Sequence, residues 1–338
     1  MEAGRAMTGL ERYLAVLEGR RPDVVPRLPI LVQFAAEYIG SNYGEFAADH
    51  RVLVRANFGC AAAFGFDQVS CISDPYRETQ GFGARIEYVP DGVPRATAPL
   101  AEERSLERLP RPDPWTAERM RDRLEACRLF RERNEGRYSI LGWVEGPAAE
   151  AADLRGTTNF VFDLMDDPAY AAELMDRCLE AALGFVTAQL ESGADTVGIG
   201  DAIASQLSPD LYESLVQPRE RRLVLAIQAA GGRVGLHICG NIAHLLPGIA
   251  DLGVDIRDVD HEVDLGAVRR AVGSRVVLTG NLDPAEAVLR GTPASIREGV
   301  RRCLEAAGAP FMVTAGCEVP AGTPLVNLRA LCEPVPWP

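Results

Sequence analysis

No stretch of the sequence approaches the roughly 20 consecutive apolar residues that a membrane-spanning helix needs. The N-terminal residues 1–22 have charges throughout and lack the apolar centre of a secretory signal. There is no low-complexity tract and no internal repeat, and glycine and proline are scattered, not gathered into linkers. Positive charge is in deficit: Lys plus Arg number 35 against 48 Asp plus Glu, a formal net charge of -13. Such a surface repels phosphate backbones and anionic lipids, although it leaves room for a local basic pocket. Nucleic-acid binding and membrane association are therefore set aside, and a cytoplasmic protein is expected. Paired cysteine spacing is missing too. Cys60, Cys71, Cys127, Cys178, Cys239, Cys303, Cys317 and Cys332 are spread along the chain, which argues against a disulfide framework and for a reducing compartment.

What is present is ample material for a core: 338 residues, 47% of them hydrophobic. Short runs rich in Val, Ile and Leu predict eight strands, at residues 28–33, 67–72, 138–144, 196–200, 233–238, 254–259, 275–279 and 310–314. Continuous apolar runs of this kind suit a parallel sheet covered on both faces. Helices are predicted between them, with Asp167-Pro168, Ser208-Pro209 and Asp283-Pro284 as starts, because a side-chain oxygen satisfies orphan N–H groups and proline pre-sets φ. Pro218 is expected to kink the helix that contains it. Eight strands alternating with helices predict a single (β/α)₈ TIM barrel over residues 1–338. A doubly wound sheet is disfavoured by the absence of a Gly-rich first turn. Residues 73–137, between the second and third strands, are too long for one connection. They are expected to form a hairpin (84–89 and 93–98 around Pro90-Asp91-Gly92) and a helix (116–134) that cap one end of the barrel.

Chemistry in such barrels sits at the C-terminal ends of the strands. Those ends carry Glu145, Asp201, the run His237-Ile238-Cys239-Gly240-Asn241, then Asp258, Asp260 and His261, Asn281, and Gly316-Cys317-Glu318. Residues two apart on a strand share a face, so His237 and Cys239 can grip one ion, with Cys317 closing the site from the last strand. One nitrogen and two sulfur donors suit Zn²⁺ with a fourth position open. An H-x-C pair alone also describes a core histidine beside a buried thiol; its placement at barrel strand ends beside glycines favours the metal.

The remaining positions carry two readings each. Glu145 serves as a general acid or caps the following helix. Asp201 faces substrate or supports the site from behind, or caps a helix. Asp260 or His261 supplies a fourth ligand or lies in a wet loop. Asn281 is placed at the mouth, and Asp283 is read as a helix cap. Phe34, Tyr38 and Tyr43 line a substrate pocket or pack in the core. His244 is read as structural, and His50 is assigned nothing.

His237-Ile-Cys-Gly-Asn241, Thr279-Gly-Asn-Leu-Asp-Pro284 and the segment Ala315-Gly-Cys-Glu-Val-Pro-Ala-Gly-Thr-Pro324 resemble the uroporphyrinogen decarboxylase superfamily. So do the segment from Asp201 to Pro209 and the opening Glu11-Arg-Tyr-Leu-Ala-Val-Leu-Glu-Gly19. The resemblance covers nearly the whole chain and implies a TIM barrel. Its decarboxylases act without metal on a tetrapyrrole rich in carboxylates, held by an arginine-rich segment after the first strand. Here that segment reads Val32-Gln-Phe-Ala-Ala-Glu-Tyr-Ile39, with no arginine. Its other branch, the corrinoid-linked methyltransferases, binds zinc through an H-x-C…C pattern, matched here by His237, Cys239 and Cys317. The resemblance therefore implies methyl transfer between a separate corrinoid carrier protein and a small thiol acceptor or methyl donor, such as an aryl methyl ether undergoing O-demethylation. The alternatives are a uroporphyrinogen-type decarboxylase and a non-enzymatic corrinoid-binding scaffold.

Overall fold

The computed structural model describes residues 6–338, so the first five residues of the expected domain lie outside the described residues. In chain order the strands are β1 (Gln68–Ser70), β2 (Ile86–Glu87), β3 (Arg95–Ala96), β4 (Ser139–Glu145), β5 (Thr196–Gly200), β6 (Arg233–His237), β7 (Ile256–Asp258), β8 (Val277–Leu282) and β9 (Phe311–Ala315). Seven form one parallel sheet in the order β1-β4-β5-β6-β7-β8-β9, and β2 and β3 pair separately as an antiparallel hairpin. Each strand of the large sheet pairs with its successor in the series, with helices between, so the sheet curls in one direction into a TIM-barrel-like fold. β5 and β9 are buried along their whole length, as expected for strands covered on both faces.

The expected first strand, 28–33, is corrected. Pro26 and Pro29 supply no N–H for a continuous ladder, and helix Gln33–Tyr38 begins where the strand was to end. The segment instead makes isolated contacts to both sheet edges. Leu28 N–H donates to Val313 O and Val313 N–H to Pro26 O, each at 2.8 Å, while Asp67 N–H, just before β1, donates to Arg27 O at 2.8 Å. Seven strands and a bridged seam thus stand where eight strands were expected.

Helix starts follow the local chemistry. Asp167 accepts from Tyr170 N–H, Ser208 from Leu211 N–H, and Asp283 from Ala285 and Glu286 N–H. Ahead of Pro218, the helix widens into a π-helical turn, Tyr212–Val216, before continuing as Gln217–Ala229. Helix Gly9–Leu17, started by a Thr8/Glu11 capping box, closes the N-terminal end of the sheet, with Leu10 N–H on Arg137 O at 3.0 Å. Tyr13, Val16, Leu28, Ile256, Val277 and Met312 fill that end with apolar side chains.

Within residues 73–137, helix Glu118–Asn134 packs against helices His50–Phe64 and Pro168–Glu191, with Met120, Leu124 and Phe130 fully buried. It joins the outer ring of helices. The hairpin turn is the part that stands at the mouth: Pro90 O accepts from Tyr43 N–H at 2.8 Å, and Val93 faces the pocket described next.

Candidate metal centre and pocket

β6 ends at His237, and Cys239 follows two residues on, presenting its sulfur to the same face. Cys317 arrives from the turn after β9. The imidazole nitrogen and the two sulfurs all lie within 4.8 Å of one another, and His237 Nε2 is 3.1 Å from Cys239 Sγ. Two glycines let these turns close up. Gly240, at φ +83°, adopts the left-handed conformation that glycine enters at least cost and donates its N–H to Asp260 Oδ2 at 2.9 Å. A side chain at Gly316 would strike His261 N at 2.5 Å.

His237 is held from behind. Asp258 is its register partner on β7, and His237 Nδ1 lies 2.9 Å from Asp258 Oδ2, close enough for an ion pair but off the line of a straight hydrogen bond. Thr279 in turn donates to Asp258 Oδ1 at 2.5 Å. Burial works against the imidazolium, but Asp258 and Cys317 outweigh it and raise His237 to about 10. A hydrogen bond from Cys239, with further help from His237, holds the Cys317 thiol down at about 4 despite burial. The same bond and burial push Cys239 up. One thiol is thus already poised as a thiolate. A compact N/S/S donor set with a carboxylate fixing the histidine fits a tetrahedral zinc ion with one position open.

These donors share a cavity of about 250 Å³ with Ile30, Val32, Tyr43, Trp143, Glu145 and Glu318. Glu145 Oε1 accepts from Arg77 Nη2 at 2.6 Å and Trp143 Nε1 at 3.0 Å. Burial, opposed by Arg77 and reinforced by Glu78 and Asp153, raises Glu145 to about 8. This is a carboxyl group that holds its proton at neutral pH.

The other expected site residues divide. Asp201 is fully buried and accepts from Ala148 N–H at 3.3 Å and Ala149 N–H at 2.7 Å, so it caps helix Pro147–Arg155. Asp260 accepts from Gly240 and Glu262 N–H, anchoring the loop beside Cys239. His261 turns away, with Nδ1 3.0 Å from Asp260 and Nε2 3.5 Å from Asp283, and lines a separate outer groove. Asn281 faces that groove as well and donates to Asp260 O and Val263 O. Phe34 and Tyr38 stack on each other and meet Phe64 edge-on, away from the cavity. Tyr43 does line the cavity, and its hydroxyl donates to Ser73 O at 2.6 Å. Sequence reasoning did not find Arg77, which lies inside the long β1–β4 connection, or the pairing of Asp258 with His237. The second was accessible: strands aligned by their ends set those two residues side by side.

The uroporphyrinogen decarboxylase (URO-D) family model matches residues 8–336. The methylcobamide:CoM methyltransferase MtaA of Methanosarcina barkeri is 29% identical over 211 residues. That match covers 62% of this chain and 61% of that protein, so it spans less than two thirds of the relative. The methylcobamide:CoM methyltransferase MtbA of Methanosarcina mazei is 26% identical over 335 residues, 96% of this chain and 97% of that one. A solved structure described as a methyltransferase from Methanosarcina mazei shares the fold, with a TM-score of 0.88 at 24% identity over 96% of this chain and 97% of that one.

Proposed function

The chain belongs to the uroporphyrinogen decarboxylase family, and from that premise we propose that it is a zinc-dependent methyltransferase. It moves a methyl group between a corrinoid carrier protein and a small molecule, either a thiol acceptor or a methyl donor. The observation that carries this reading is the convergence of His237, Cys239 and Cys317 in one cavity with a protonated carboxyl group, Glu145. Zinc held by those three residues supplies a Lewis acid that keeps a coordinated thiol deprotonated at neutral pH.

The chain's own residues do the rest. Asp258 and Thr279 fix the imidazole so that Nε2 faces the two sulfurs. Arg77 and Trp143 aim Glu145 into the cavity, where its proton is available to a leaving oxygen or sulfur. That placement favours release of a methyl group from a small ether or thioether as the second direction of the reaction. Ile30, Val32 and Trp143 give part of the cavity an apolar wall. Decarboxylation of a polycarboxylate is the weaker reading, because no arginine among the described residues lines the cavity.

The test combines metal analysis with visible spectroscopy of a methylated corrinoid protein. About one equivalent of zinc is expected, lost in Cys317→Ser, together with a thiol- or ether-dependent change in the corrinoid spectrum. Zinc retention without methyl exchange against any thiol or methyl ether overturns the proposal.

A further inference from the structure

The chain contains no lysine, so all 35 of its basic side chains are arginines. Among the described residues none of them lines the cavity, whereas the acidic side chains of Asp74 and Glu318 and the carboxyl group of Glu145 do. Two arginines stand behind its walls, and both are engaged. Arg119 donates to the two oxygens of Asp74 at 2.7 and 2.6 Å, and Arg77 donates to Glu145 and to Asp74 O. They are 4% and 1% exposed, beyond the reach of a molecule in the cavity. Glu318 accepts from Gln33 N–H at 3.2 Å and has no cationic partner among the described residues.

Backbone N–H groups are the other means of holding an anion, and several near this cavity already donate to the chain's own acidic side chains. Asp201 caps helix Pro147–Arg155 through Ala148 and Ala149 N–H. Glu318 occupies Gln33 N–H at the start of helix Gln33–Tyr38, Asp260 takes Gly240 N–H beside Cys239, and Asp74 takes Tyr76 N–H. Outside the metal centre, the hydroxyls of Ser73 and Tyr43 donate to Asp74 and to Ser73 O, and much of the remaining wall is apolar: Ile30, Val32, Ile72, Pro75, Val93 and Trp143. Away from that centre, an anionic group entering here would lose hydration and meet no cationic side chain among the described residues, at a large cost in free energy.

We infer that this cavity selects uncharged or cationic small substrates and rejects thiols and methyl donors that carry a sulfonate or carboxylate. The inference rests on the methyl-transfer reading for the kind of molecule that enters, and on the walls alone for its charge. Three thiols that share the same two-carbon arm test it on the zinc-loaded protein: 2-mercaptoethanol, 2-aminoethanethiol and 2-mercaptoethanesulfonate, compared at equal thiolate concentration. Calorimetry gives the affinities, and X-ray absorption at the zinc edge reports new zinc–sulfur contact. The neutral and cationic thiols are expected to bind at least about tenfold tighter than the sulfonate. Glu318→Gln should narrow that gap, and Val93→Arg, which sets a cation on the hairpin rim, should narrow it too. Equal or tighter binding of the sulfonate by the unaltered protein overturns the inference, as does a gap unmoved in both variants. If none of the three thiols adds sulfur to zinc, the thiol-binding reading of the site fails first, and the charge selection falls with it.

Discussion

Glu145 shows how surroundings decide what one carboxyl group does. It is buried beside Glu78 and Asp153, and the single guanidinium of Arg77 does not offset the cost of its charge, so it titrates near 8. The ordinary glutamate value is about 4.3. Its raised value means that the folded state holds a proton the unfolded chain gives up. The stability linked to it is present below the unfolded value and is lost as pH rises through about 8. If Glu145 gives its proton to a leaving group, demethylation should decline over that same alkaline range. Glu145→Gln should lower the rate by roughly 10²–10⁴-fold and remove the alkaline decline from what remains; a pH–rate profile of both proteins checks this. At this scale the site was partly legible in advance. His237, Cys239, Cys317 and Glu145 stand out because their spacing and strand-end positions announce them. Phe34, Tyr38, Asn281 and His261 could not be placed without knowing which way each turn faces.

Asp201 illustrates the scale of elements. A strand-end aspartate suggests substrate contact, yet its oxygens are taken by the first N–H groups of helix Pro147–Arg155. Gly146 leaves the room this needs, since a side chain there would collide with the Asp201 carboxylate. Asp201→Ala should therefore cost about 1 kcal/mol of stability, read by urea denaturation, while zinc content stays that of the unaltered protein. Helix starts at Asp167, Ser208 and Asp283 were legible because a capping side chain is local chemistry. The segment 28–33 was not, because its apolar pattern suits a strand while Pro26 and Pro29 deny it the N–H groups. The hairpin was readable from Pro90-Asp91-Gly92. That helix Glu118–Asn134 belongs to the outer ring depends on packing across the chain, which no local pattern encodes.

The whole molecule depends on how its seam is held. Arg27 and Asp67 pair at 2.9 Å with both side chains almost fully buried, and Arg12 adds a further contact to Asp67 at 3.0 Å. This cluster fastens the bridging segment to the edge at β1. Asp67→Ala would leave Arg27 buried without its partner and should destabilise the fold by about 3–5 kcal/mol, measured by the shift in urea midpoint.

Three donors drawn from opposite sides of the mouth have a mechanical consequence as well. His237 ends β6 and Cys239 follows it, Cys317 follows β9, and two strands lie between β6 and β9 in the sheet. An ion gripped by all three acts as a rivet across the open rim, and whatever binds only the folded chain also protects it from unfolding. Stripping the ion with a chelator should lower the melting temperature by several degrees, and restoring zinc should recover it. Heat resistance would then serve as a gauge of how many molecules are loaded.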